Sequence, residues 1–170
     1  STADAPFVES DPAKSEVFDI KEAGAEPVTY DIALPDTAVT NAQIWTVTLT
    51  LDNVSVGKIN AMKFGTGSKS ATWTFTALAG TTTIRLYALG WSGKNVDIKL
   101  TPNGSSAITE SINSNSSISG SSTTITLNTT TEEAFHEISL GSALTQDTNI
   151  TITNNSTERR FLLWGIQGVK

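Results

Sequence analysis

Ile44-Trp45-Thr46-Val47-Thr48-Leu49-Thr50-Leu51 alternates apolar and hydroxylic residues without a break after its first position. In an extended chain Trp45, Val47, Leu49 and Leu51 share one face and Thr46, Thr48 and Thr50 the other, the period of a half-buried strand. Ala71–Leu78 repeats the pattern, with Trp73 and Phe75 opposite Thr72, Thr74 and Thr76. Outward from these two segments, Thr83–Leu89, Val96–Leu100, Thr124–Leu127, Ala134–Leu140, Ile150–Thr153 and Arg160–Ile166 read as further short strands, and Val17–Leu34 as a first strand pair. Within Arg160–Ile166, the run Phe161–Ile166 is apolar on both faces and is expected at the centre of a sheet. Gly90–Asn95 and Pro102–Ser105 supply turn residues, Asn103-Gly104 giving positive φ. Ser111–Ser122, polar and low in complexity, is expected as a surface loop with one short edge strand. Strands this short, with turns every 8–12 residues, predict an all-β fold, a two-sheet antiparallel β-sandwich of jelly-roll type.

The composition agrees. Of 170 residues, 27 are Thr and 19 Ser, favouring strands and turns respectively. A chain of this length can bury a core without a disulfide or metal staple. The sequence holds no Cys and a single His, which excludes thiol chemistry, Cys-ligated zinc and any site needing two histidines from one chain.

The net charge of −6 is uneven: residues 1–36 carry nine acids and two bases, and the remainder is close to neutral. Duplex nucleic acid and anionic membrane surfaces are therefore not expected partners, since both need a basic field. No apolar run approaches the ~20 residues of a membrane helix. Segment 1–15 reads as an acidic tether and 16–170 as one sandwich domain. The opening Ser1-Thr2-Ala3-Asp4 is expected of a trimmed or processed chain.

Trp45 and Trp73 on apolar strand faces, and Trp164 in the most apolar strand, are expected in the core. Trp91 differs, being flanked by Gly90, Ser92 and Gly93 in a connection between strands. Two readings fit it: a ring on which a sugar stacks, with Lys94 and Asn95 bonding hydroxyl groups, or a lid folded back over the end of the sandwich. Tyr87 shares its face with Arg85 and Leu89 and is a candidate neighbour. Acids of the front segment, Asp19 and Glu22 foremost with Asp11 and Glu26, are candidates for a structural calcium, although no EF-hand spacing is present. His136 falls on the face of Ile138 and Leu140, where a core role outweighs a catalytic one. Glu132, Glu133 and Glu137 offer only chance carboxylate pairs. Phe64–Ser70 departs from a phosphate loop, lacking the Gly-Lys-Ser ending and a following helix. The seven Asn-x-Ser/Thr sequons, Asn154 and Asn155 among them, are expected from composition alone.

Thr72–Thr76, Gly80–Trp91, Val96–Gly104 and Phe161–Gln167 together resemble jelly-roll carbohydrate-binding modules, the galactose-binding-like sandwiches of surface proteins in gut Gram-negative anaerobes. The resemblance spans residues 60–166 and implies sugar stacking on end-loop aromatics, matched here by Trp91 and Tyr87. It also implies a calcium near the first strand, for which the acidic segment is the place. Asp36-Thr37-Ala38 is similar to an O-glycosylation acceptor in such bacteria. Two functions follow. The first is a non-catalytic glycan- or polysaccharide-binding module of a secreted or surface-anchored bacterial protein, next to other domains of that protein. The second is a structural or adhesion domain with no small ligand.

Overall fold

The computed structural model describes residues 26–51, 54–102, 116–119, 122–155 and 158–170. The proposed calcium ligands Asp19 and Glu22, the tether 1–15 and the Asn103-Gly104 turn lie outside them. Eleven strands are present among the described residues: β1 (Thr29–Asp31), β2 (Ala42–Leu51), β3 (Val54–Phe64), β4 (Thr72–Ala77), β5 (Thr83–Gly90), β6 (Val96–Pro102), β7 (Ser116–Ser119), β8 (Ser122–Leu127), β9 (Phe135–Ser139), β10 (Thr148–Asn154) and β11 (Phe161–Val169). A 3-10 turn, Thr131–Glu133, precedes β9.

They form two antiparallel sheets. The first runs β2-β3-β11-β5-β9, with β1 also on β11, and the second runs β4-β10-β6-β8-β7. The chain crosses between sheets at every step from β3 to β6 and again from β8 to β11. That alternation wraps the sandwich as a jelly roll does. β11 lies between β3 and β5, as its two apolar faces require, and β7 is the edge strand expected within Ser111–Ser122.

The core follows from strand alternation. Ile84, Leu86 and Ala88 of β5, Met62 and Phe64 of β3, and Phe161, Leu163 and Ile166 of β11 face Ile98, Leu100, Ile125, Ile150 and Ile152 of the second sheet. Phe64 and Phe161 stack at 4.5 Å between centroids. The outer face of the second sheet carries the threonines of the alternating pattern. Thr74 and Thr151 pair at 3.0 Å, and the Thr76 hydroxyl donates to Asn149 Oδ1 at 2.8 Å. Such cross-strand hydroxyl pairs stabilise a sheet by tenths of a kcal/mol to about 1 kcal/mol each.

One element departs from the regular sandwich. β3 pairs with β11 only over Phe161–Leu163, and β1 then takes that edge of β11 over Gln167–Val169. The long β2–β3 hairpin is therefore free of the sheet along most of its length and bends over the sheet's outer face. Its Val47, Leu49 and Ile59 pack on Leu89, Ala134 and Trp164 in a second apolar cluster. Beyond it the Thr131 hydroxyl donates to the Thr50 carbonyl. This bending explains why Trp45 is 36% exposed rather than in the core as expected. Its strand face points at the hairpin's own shelter, which covers Leu49 well and Trp45 only in part. Trp73 and Trp164 are half-buried.

Candidate functional site

The outer face of the first sheet gathers most of the chain's remaining chemistry. Register places Arg85 opposite Glu137, Tyr87 opposite Phe135 and Gly165, and Lys63 opposite Gln43 and Leu162, so all of these share that face.

A β-bulge makes the central part of the site. The β5–β11 register shifts between Leu163 and Gly165, leaving Trp164 as the extra residue. A bulge re-aims a side chain, and here it turns Trp164 outward beside Tyr87 instead of continuing the alternation. Gly165 makes room for the tyrosine: a Cβ there would lie 3.0 Å from Tyr87 Cδ2. Tyr87 also meets Phe135 at 5.1 Å between centroids. On the other side Tyr87 and Trp164 line an open cleft of about 360 Å³ with Asp31, Ile32, Leu34 and Gln167. Gln167 Nε2 donates to Asp31 Oδ1 at 2.9 Å, so an amide and a carboxylate stand together against two aromatic rings.

Trp91 sits in a separate cluster. Ser92 and Gly93 both have positive φ, 61° and 73°, as in a tight hairpin turn. Gly90 admits the loop's return, since a Cβ there would lie 2.3 Å from the Lys94 carbonyl oxygen. The Trp91 amide donates to the Arg160 carbonyl at 3.0 Å. The ring then lies back across the sheet, edge-on to Trp45 at 5.8 Å. Lys63 Nζ is 4.1 Å from the Trp45 centroid and 4.2 Å from that of Trp91, and Arg160 Cζ is 4.8 Å from the latter. Lys63 is only 5% exposed. Burial, and then repulsion from Arg160, hold its pKa below the usual lysine value.

The four residues singled out from sequence are thus divided. Tyr87 lines the cleft with Trp164, and Trp91 packs on Lys63 and Trp45. Asn95 borders a third depression of about 350 Å³ with Asp97, Asn155 and Arg159, where its carbonyl accepts from Arg159 Nη1 at 2.8 Å. Lys94 is exposed and lines none of these. Trp164, Asp31, Gln167 and Lys63 were not anticipated as site residues.

The weak catalytic candidates do not converge. His136 is fully buried in the core, with its pKa lowered by burial against the opposing pull of the Glu133 backbone carbonyl. Glu137 is bound to Arg85 Nε at 2.7 Å, and Glu133 accepts from Asn128. In the Gly65–Ser70 loop the Thr66 hydroxyl accepts from the amides of Ser68 and Lys69, and strand β4 rather than a helix follows. Among the described residues no three His, Asp or Glu side chains cluster as metal ligands, and no helix is long and apolar enough to cross a membrane. Asn154 is no glycan acceptor: it is buried, with Oδ1 accepting from the Ala71 amide and Nδ2 donating to the Arg159 carbonyl.

No protein-family model and no curated protein matches the chain. Among solved structures it is similar to a family two carbohydrate esterase from Cellvibrio japonicus at 13% identity and a TM-score of 0.41, over 85% of this chain and 34% of that one. The chain thus spans about a third of the esterase's length. It is also similar to TmCBM61 in complex with β-1,4-galactotriose, at 14% identity and a TM-score of 0.42, over 88% of this chain and 92% of that one.

Proposed function

We propose that the chain is a non-catalytic glycan-binding module of a secreted or surface-anchored bacterial protein, and that sugar rings stack in the cleft of Tyr87 and Trp164. The observation that carries this is the composition of that cleft, two half-buried aromatic rings beside the Asp31–Gln167 pair. Sugar rings have apolar C–H faces and polar rims. An aromatic wall takes the face while a carboxylate and an amide, each able to engage two hydroxyls, take the rim. The cleft is open, as a site on a polymer must be.

A glycan array tests this, run with and without calcium because Asp19 and Glu22 are proposed as ligands of a structural calcium ion. The wild-type chain is expected to retain a defined set of glycans, and Tyr87→Ala to lose them while circular dichroism stays unchanged. Equal retention by Tyr87→Ala would move the site elsewhere.

A second reading, an adhesion domain, draws on Phe135. It is 42% exposed on β9, which is an edge strand of the first sheet. Exposed edges with apolar residues are templates for pairing with another chain. That reading predicts no array signal, and concentration-dependent association abolished by Phe135→Lys.

A further inference from the structure

Lys63 and Arg160 approach the same indole: both cationic groups lie within 4.8 Å of the Trp91 centroid. Among the described residues no carboxylate is within salt-bridge range of either. Two cations gathered at one ring, one of them almost wholly buried, form a concentrated positive charge that no carboxylate of the described residues balances. The Gly65–Ser70 loop runs beside them. A Cβ on Gly67 would lie 3.5 Å from Arg160 Nη2, and the exposed Lys69 follows in the same loop. Trp45, the most exposed of the four tryptophans, forms the outer wall. Burial first, and then repulsion from Arg160, hold the pKa of Lys63 below the usual lysine value.

We propose that Trp45, Lys63 and Arg160 form an oxyanion site that takes the carboxylate or sulfate group of an acidic polysaccharide, with its sugar ring against Trp45. Guanidinium and ammonium groups together give charge-assisted hydrogen bonds to such an anion, and an aromatic wall suits the ring that carries it. The site is separate from the Tyr87–Trp164 cleft and rests on the glycan reading only for the nature of the carrier. A net charge of −6 repels polyanions at long range, so their binding reports a local site and not a general field.

The experiment is titration of the full chain, followed by tryptophan fluorescence, with two matched polymer pairs. These are polygalacturonate against its methyl ester and dextran sulfate against dextran. Arg160→Gln and Lys63→Met are compared with wild type and with Lys99→Met, which removes a charge from the outer face of the second sheet. At low salt at least one anionic polymer is expected to bind roughly tenfold or more tighter than its neutral partner, and the preference to fade at high salt. Which pair shows it distinguishes carboxylate from sulfate. Arg160→Gln and Lys63→Met should each reduce the preference, while Lys99→Met should leave it intact. Equal binding of charged and neutral polymers, or full preference in both charge variants, overturns the proposal. Anionic binding without any neutral-glycan retention upholds this site and counts against the Tyr87–Trp164 cleft.

Discussion

The ammonium of Lys63 lies 4.1 Å from the Trp45 ring and 4.2 Å from the Trp91 ring, clamped between the adjoining strand β2 and the loop that follows β5. A desolvated cation–π contact is worth about 2 kcal/mol, whereas burying an ammonium costs several. Arg160 adds repulsion, and the lowered pKa of Lys63 shows that its charged form is disfavoured there. Lys63→Met keeps the aliphatic stem and removes the charge. Its stability by urea denaturation is expected to equal wild type or exceed it by about 1 kcal/mol. A loss above about 2 kcal/mol would show that the cation–π contacts dominate instead.

Trp91→Ala probes the other half of the clamp. The indole shelters Lys63 and touches Trp45, so its removal takes away packing and wets the cation. A fully buried aromatic costs about 3–5 kcal/mol on truncation, and the half-buried Trp91 is expected to cost about 2. Thermal melting checks this. An unchanged melting temperature would mean that the ring contributes nothing to the fold and is held for a ligand.

How far these contacts could be read from sequence depends on the strand that carries each residue. The strands flanking the core were legible because Thr alternates with apolar residues, as at Thr72–Ala77, or because both faces are apolar, as in Phe161–Ile166. β3 was not legible. Gly57, Lys58, Asn60, Ala61 and Lys63 are weak strand formers, and the hairpin's exposure along much of its length blurs any alternation. With β3 unseen, the meeting of Lys63 with Trp45 and Trp91 was out of reach. The outer-face position of Tyr87 was legible because Arg85 and Leu89 share that face. Its partner Trp164 was missed because alternation cannot foretell a bulge, and only the bulge turns Trp164 to the same side. Trp45 shows the converse: its face was read correctly, but what covers that face depends on where the hairpin bends.

His136 makes the fold acid-sensitive. Its folded pKa lies below the ordinary 6.5, so on acidification the unfolded chain takes up the proton first. The stability it contributes is full above about pH 6.5 and is lost as the pH falls towards the folded pKa. One histidine limits the slope to about 1.4 kcal/mol per pH unit. Urea midpoints for wild type and His136→Leu at pH 7.5 and 5.5 should show the wild type losing more. Parallel losses would assign the acid sensitivity to carboxylates.

Gly90 and Gly93 bracket the Trp91 turn but should respond differently to Ala. At Gly93 a Cβ meets nothing within 4 Å, and only the positive φ opposes it, at about 1–2 kcal/mol. At Gly90 the Cβ collides with the Lys94 backbone, which cannot move without opening the turn. Gly90→Ala is therefore expected to cost more than Gly93→Ala and to shift Trp91 fluorescence as its clamp loosens. Equal costs in denaturant titration would mean that the turn is pliable.

The polar half of the Tyr87–Trp164 cleft allows recognition to be tested apart from folding, which Trp164 does not. Trp164 belongs to the second apolar cluster as well as to the cleft, so its truncation must cost stability whether or not a sugar binds. Asp31 and Gln167 are different. They are joined by a hydrogen bond on the surface of the β1–β11 pair, and Asp31 is exposed. An exposed polar pair of this kind contributes about 0.5–1 kcal/mol to folding. A carboxylate that accepts two sugar hydroxyls contributes more than that to binding, because removing it leaves buried hydroxyls unpaired. Asp31→Ala is accordingly expected to weaken glycan retention about tenfold while lowering stability by less than 1 kcal/mol, and Gln167→Ala to follow it more mildly. Affinity electrophoresis beside a denaturation curve reads both quantities from one preparation. Stability lost in step with binding would make the pair a fastening of β1 to β11 and nothing more.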